Sequence, residues 1–192
     1  AFITSIQINI PKYTIGADDL NLLALYTILS YASLLMIVLS NAISQVKLKE
    51  VNDFILTREL PRVYKIIYQN LLIIIGLTTL LAIVFLSPLG GVFLNMFNID
   101  ASVENKKLLL ISIFIAVPQV LQSCVNYLLI AAGEYNKIVY LSIFSSILTF
   151  LLCELLYTSF SLYGAYAALA IVGVLYTAIA WCIFVKKVNT NN

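Results

Sequence analysis

The stretch from Ile66 to Pro88, "IIYQNLLIIIGLTTLLAIVFLSP", decides the fold, because it contains no charged residue and the chain stays uncharged until Asp100. Buried helices of soluble domains rarely run so far without a charge, whereas about 20 apolar residues in a row span a bilayer as a helix. Two further uncharged runs follow, Leu108 to Gly133 and Leu155 to Val185. Over the full 192 residues 62% are hydrophobic and 10% charged, against about 45–50% and about 25% in soluble domains. Lipid is therefore the solvent for most of this chain. A transmembrane β-barrel is excluded by the same runs, since barrel strands alternate in polarity and are about ten residues long.

Working outward, five full spans can be read: Leu20 to Ile43, Ile66 to Pro88, Leu108 to Ala132, Ile138 to Phe160, and Gly164 to Val185. Each covers about 33–38 Å at 1.5 Å per residue, enough for a hydrocarbon core of about 30 Å. The expected fold is all-α, a polytopic membrane helix bundle of five full transmembrane helices plus the end of a sixth. The brief connectors "GEYNK" and "SLY" make the last three spans antiparallel neighbours.

Orientation follows from the cations. Lys47, Lys49, Arg58, Arg62, Lys65, Lys137, Lys186 and Lys187 fall on one side, and Lys12, Lys106 and Lys107 on the other. Eight against three places the first side, with the C-terminus, in the cytoplasm. The Ser44 to Lys65 connector sets Val51, Phe54, Ile55 and Leu60 among charges. It reads either as a short helix on the membrane surface or as a solvated linker touching the bundle.

The opening stretch "SIQINIPKY", Ser5 to Tyr13, alternates Ile6, Ile8 and Ile10 with Gln7 and Asn9, the period of a half-buried strand. A lone strand in lipid would leave its N–H and C=O groups unpaired at several kcal/mol each, so helix is expected instead. "AFITSIQINIP" then reads as the last turns of a helix that leaves the membrane at Pro11, with Gln7, Asn9 and Lys12 facing something wetter than lipid. The chain opens on Ala1 with no basic leader, which reads as a piece of something longer.

Histidine is absent, so His-based zinc sites, Ser-His-Asp triads and His proton shuttles cannot be built from this chain. Cys124, Cys153 and Cys182 lie in apolar runs without a CxxC pair and read as packing residues. The net charge of +2 gives no reason to expect nucleic acid as a partner. No metal site and no cofactor are expected.

The third span carries Ser112, Gln119, Gln122, Ser123 and Asn126 within an arc of about 100°. Either these amides line a wet cavity or they are interhelical glue. Pro118 beside them should kink the helix and free a carbonyl. In the fourth span Ser142, Ser145, Ser146, Thr149 and Cys153 form a stripe of small groups that favours close helix approach, as do Gly164, Ala168, Ala170 and Gly173 in the fifth. Glu154 is the one ionisable group deep in a span. It reads either as an ion- or proton-coupling carboxylate or as a structural one reaching for headgroup water.

In "SIQINIPKY", "SNAISQVKLKE", "LLIAAGEYNKIVYLSI" and "LYGAYAALAIVGVLYTAIAW" the chain resembles the C-terminal half of the polysaccharide, or O-antigen, flippases of the multidrug/oligosaccharidyl-lipid/polysaccharide exporter superfamily. The resemblance covers nearly the whole chain and rests on soft Gly and small-residue patterns. It implies two six-helix lobes around a central cavity in the bacterial cytoplasmic (inner) membrane. Residues 1–192 would be the C-terminal lobe, helices seven to twelve, with the N-terminal lobe missing here.

The implied activity is movement of a polyprenyl-diphosphate-linked oligosaccharide from the cytoplasmic to the outer leaflet by alternating access, without enzymatic chemistry. The partners would be that lipid-linked oligosaccharide, the membrane lipids and the other lobe. Gln7, Asn9, Lys12, Gln119, Gln122 and Asn126 are the candidate substrate and cavity residues, with Lys12 either meeting the diphosphate or anchoring the helix at the membrane interface. Glu154 is the candidate for Na+ or H+ coupling; it is similar in placement to a sodium-site carboxylate of lipid II flippases, although Phe150 stands where a second polar ligand would be expected. Rival readings are a drug/cation antiporter of the same superfamily, a membrane-embedded polymerase or ligase of lipid-linked sugars, which the short outer connectors disfavour, and an inert half-transporter.

Overall fold

The computed structural model describes residues 2–190, with side chains at residue 7 and from 9 to 189. Ala1 and the side chains of Ile6 and Ile8, two members of the alternating set, lie outside the described residues. The described residues form six helices: α1 Phe2–Asp18, α2 Leu20–Leu56, α3 Leu60–Leu86, α4 Pro88–Met96, α5 Val103–Ala131 and α6 Tyr135–Thr190. Among the described residues there is no strand. Four helices, α2, α3, α5 and α6, are long and apolar enough to cross a membrane.

The stretch Ser5–Tyr13 is helical, but the exit expected at Pro11 is not there: α1 continues through the proline to Asp18. A proline inside a helix removes one N–H bond and crowds the carbonyl four residues back. Leaving the helix where Ile10, Pro11 and Ile15 are buried in the bundle would strand several backbone groups, which costs more than one missing bond. The stop comes at Asp19, whose extended backbone and carboxylate cap α2, accepting from the N–H of Asn21 at 2.7 Å and of Leu22 at 3.1 Å.

The connector expected over Ser44 to Lys65 is also corrected. It is neither a separate surface helix nor a linker, because α2 runs on unbroken past Ile43 to Leu56. Its 37 residues extend about 55 Å, well beyond a bilayer core. No Gly or Pro interrupts the stretch before Pro61, and Val51, Phe54 and Ile55 pack against a cluster that includes Val125, Leu128 and Phe184. The turn into α3 places Arg58 at φ 60°, and the N–H groups of Thr57 and Glu59 donate to the carbonyls of Asp53 and Phe54, both at 2.9 Å. These bonds satisfy carbonyls that the helix end would otherwise orphan.

At the other end of α3, the connector to α5 contains a helix of its own, α4. Ser87 ends α3 and caps α4, with Pro88 in the first turn. The reversal is so tight that a Cβ at Gly90 would lie 2.0 Å from the Phe85 carbonyl oxygen.

The 56-residue helix α6 is not straight, since Ser161 sits at φ 52°, ψ −135° and breaks it into arms 135–160 and 162–190. Ser142 and Tyr176, on different arms, have their hydroxyls 3.4 Å apart; along one continuous helix they would be about 50 Å apart. The arms therefore fold back on each other. Gly164 allows the bend, because a Cβ there would meet the Leu156 carbonyl at 2.0 Å. Farther along, a Cβ at Gly173 would lie 2.8 Å from Pro118 Cβ, so the second arm seats directly on the proline of α5.

Helix α5 is the centre of the bundle, with Leu109, Ile113, Ala116, Val120 and Leu129 fully buried. In contrast α3 leaves Leu72, Ile75, Leu80 and Ile83 on the outside. Lipid tails are as apolar as these side chains, so their exposure costs little and helix association rests on packing and hydrogen bonds. One end of the bundle gathers the cations that the sequence places together: Glu134, in the α5–α6 turn, pairs with Lys137 at 3.0 Å and with Lys187 at 3.2 Å.

Candidate functional site

Where α1, α2, α5 and the second arm of α6 converge, they enclose a cavity of about 150 Å³. Its polar lining comes from Asn9 and Lys12 of α1, Tyr26 and Ser30 of α2, Gln119 of α5 and Tyr166 of α6. The volume equals about five water molecules at about 30 Å³ each. Tyr26, Ser30, Ser33 and Ile37 all line it at spacings of four, three and four, which puts them on one face of α2.

Lys12 is half-buried, and among the described residues no carboxylate pairs with it. Tyr166 is 2% exposed, and its buried hydroxyl has no hydrogen-bond partner among the described residues; its ring lies 5.0 Å from that of Tyr26. Ser33 Oγ donates to the Ser112 carbonyl at 2.6 Å, and Ser112 Oγ lies 2.7 Å from the Leu109 carbonyl and 3.1 Å from that of Leu29. These bonds lock α2 to α5 and hold the cavity's walls in register. The site thus combines one cation, one unmet hydroxyl and several amides and hydroxyls, a set suited to an oxygen-rich anionic group.

The structure divides the six cavity candidates into two groups. Asn9, Lys12 and Gln119 line the cavity. Gln7 and Gln122 are buried and meet each other, with Gln122 Nε2 donating to Gln7 Oε1 at 3.0 Å and Ser145 Oγ reaching the same oxygen at 3.1 Å. Asn126 Oδ1 accepts from the Tyr176 hydroxyl at 2.6 Å. With its proton committed there, Tyr176 is the acceptor for Ser142, 3.4 Å away. Gln7, Gln122 and Asn126 thus bond to neighbouring elements and are not among the residues that line this cavity.

Most of the hydroxyl stripe bonds within its own helix, as in Thr149 to the Ser145 carbonyl at 2.7 Å and Ser146 to that of Ser142 at 2.9 Å. Such groups are small and internally satisfied, so backbones can approach closely. Glu154 Oε1 accepts a hydrogen bond from Thr14 Oγ1 at 3.1 Å, linking α6 to α1. Phe150, one turn earlier, points outward at 49% exposure. Among the described residues no group of three or more His, Cys, Asp or Glu side chains gathers as a metal-ligand set.

The cavity residues missing from the sequence reading are Tyr26, Ser30, Ser33 and Tyr166. The first three were legible as a polar face at helical spacing in the first full span. Tyr166 was not, because a tyrosine inside "LYGAYAALA" looks like packing among small residues. Comparison with family models, with curated proteins and with solved structures gives no match for this chain.

Proposed function

We propose that this chain is the C-terminal lobe of a membrane transporter that moves a polyprenyl-diphosphate-linked oligosaccharide across the bilayer without covalent chemistry. The observation that carries the reading is Lys12, a half-buried cation in a polar intramembrane cavity with no carboxylate paired to it. A cation in lipid needs an opposite charge or a wet cavity, and a diphosphate supplies the charge. In this reading Lys12 holds the diphosphate, while Asn9, Ser30, Gln119 and the Tyr166 hydroxyl bind sugar hydroxyls. About 150 Å³ is one wall of such a site, and the N-terminal lobe supplies the other.

The two arms of α6 count as separate crossings, so the chain makes five full crossings and α1 is the end of a sixth. The end that holds Glu134, Lys137 and Lys187 is cytoplasmic, in a bacterial inner membrane. Glu154, steadied by Thr14, is the coupling carboxylate; a drug/cation antiporter would need one too, so Glu154 does not separate the two transport readings. Transport by the full-length protein in vesicles does. A labelled lipid-linked oligosaccharide should change leaflet, and Lys12→Gln should slow it about tenfold or more, the value of a lost charge-assisted hydrogen bond, while Lys12→Arg retains it. Undiminished transfer in Lys12→Gln, or ion-driven efflux of a cationic dye without movement of the sugar lipid, would overturn the reading.

A further inference from the structure

A second hollow lies away from that cavity. A groove of about 470 Å³ runs between α3 and the core formed by α2, α5 and the second arm of α6. This is within the range of about 300–1,000 Å³ of small-molecule pockets. It exists because α3 touches the bundle through few residues, among them Ile66, Ile74 and Thr78, and the intervening side chains do not fill the gap. Its walls are nearly all apolar, and Lys47 is the one charged side chain among them.

We infer that this groove binds one acyl chain of an anionic phospholipid, with the lipid phosphate at Lys47 and its ester region at Asn70.

Depth along the groove carries the assignment. Helices α2 and α3 are antiparallel, and Thr78 Oγ1 lies 3.6 Å from Met36 Sδ, which fixes their register. Counting from that pair, Lys47 is level with Ile67, and Asn70 lies about 4.5 Å farther into the bilayer. Tyr64 and Trp181, with rings 6.4 Å apart, line the groove at its cationic end. Tyr and Trp concentrate at the headgroup level, so Lys47 stands where phosphates are and Ile74 and Leu121, at the other end, stand in hydrocarbon.

Lys47 is available to a phosphate. Its carboxylate neighbour is Glu50 at 3.8 Å, a partly exposed pair one turn along the same helix and hence a weak one. Asn70 is the second polar mark in the groove, its Oδ1 buried without a partner. Turned over, the same amide presents its NH₂ there as a donor for an ester carbonyl. A phospholipid offers phosphate first and ester carbonyl just below it, whereas an isoprenyl chain has no polar group at the level of Asn70. The inference needs only that the chain is membrane-embedded and is independent of the transported substrate.

Native mass spectrometry of the full-length protein in detergent tests it, with dioleoyl phosphatidylglycerol, dioleoyl phosphatidylcholine and a polyprenyl phosphate as probes. Phosphatidylglycerol should bind about fivefold more tightly than phosphatidylcholine, the factor one lysine supplies toward an anionic headgroup. Lys47→Gln should erase that preference and Lys47→Arg keep it. Leu71→Trp, which enters the groove from a partly exposed position on α3, should remove both adducts; Asn70→Leu should weaken both, and stands in if the tryptophan variant does not fold. Equal binding of the two phospholipids by the unaltered protein, adducts that survive Leu71→Trp, or tighter binding of the polyprenyl phosphate would each overturn the inference.

Discussion

Gln122 Nε2 donates to Gln7 Oε1 at 3.0 Å, tying the central helix α5 to α1 where both side chains are buried. The Gln7 oxygen, which Ser145 Oγ also reaches, keeps the buried Gln122 amide from going unpaired. Gln7→Leu alone strands the Gln122 amide, at about 1–3 kcal/mol, whereas Gln122→Leu leaves the Gln7 oxygen its bond from Ser145 Oγ; replacing both removes the need. Gln7→Leu should therefore destabilise the bundle by about that amount and Gln122→Leu by less, and the two together should cost less than the sum of the single changes. Denaturant titration in detergent micelles measures the cycle. Simple additivity would show that the bond contributes nothing.

Gly173 and Gly76 should respond oppositely to alanine. A Cβ at Gly173 would lie 2.8 Å from Pro118 Cβ and 3.3 Å from the Pro118 carbonyl carbon, while one at Gly76 meets nothing within 4 Å. Gly173→Ala must push the second arm of α6 off α5, a cost of about 1–3 kcal/mol for overpacking. Gly76→Ala adds a helix former to the lipid-facing side of α3 and should stabilise by about 0.5–1 kcal/mol. Thermal unfolding of the two variants against the parent protein checks both signs.

What could be read from the sequence, and what could not, follows from where water ends. Inside the membrane the absence of charge marks the helices directly, so the run at Ile66–Pro88 and the bend at Ser161, in the connector "SLY", were both legible. Outside it the same rule misleads: the charged residues from Lys47 to Asp53 look like a connector, yet α2 continues through them because no residue there breaks a helix. Pro11 misled for a related reason, since a proline that would end a helix in water is tolerated where the alternative is unpaired backbone buried in the bundle. Which polar groups pair and which line a cavity could not be read, because it depends on contacts between distant helices. Gln119 and Gln122 are three residues apart on one polar arc, yet only Gln122 meets Gln7.

Glu134 should make stability depend on pH at the cationic end. Lys137, then Lys187, hold its carboxyl below its ordinary value of 4.5. A folded-state pKa below the unfolded one contributes stability that is present above pH 4.5 and is lost as pH falls through the folded value. Melting temperature should therefore drop on acidification below about pH 4.5, and less so in Glu134→Gln. Because both lysines are substantially exposed, salt should shrink the difference. An identical acid profile in Glu134→Gln would show that the pairs do not stabilise the fold.

Glu154 separates a tie from a coupling site. The amide of Glu154→Gln keeps an oxygen to accept from Thr14 Oγ1, so the fold should hold. If the carboxylate couples transport, movement of substrate by the full-length protein should be abolished in this variant. Thr14→Val removes the donor but leaves the charge, and should reduce transport less. Full activity in Glu154→Gln would leave the residue only its link to α1.

The two glutamines of α5 give the sharpest test of the cavity. Gln119 lines it beside Lys12 and Tyr166, whereas Gln122 is 2% exposed and faces Gln7. With Cys124, Cys153 and Cys182 replaced, Gln119→Cys should react with a charged, membrane-impermeant thiol reagent from one side of the bilayer only, and Gln122→Cys should stay protected. A lysine nearby favours the thiolate, so an anionic reagent should label Gln119→Cys faster than a cationic one, and Lys12→Gln should remove that preference. Equal protection of both cysteines would mean that the hollow is dry, and the transport reading would lose the observation on which it rests.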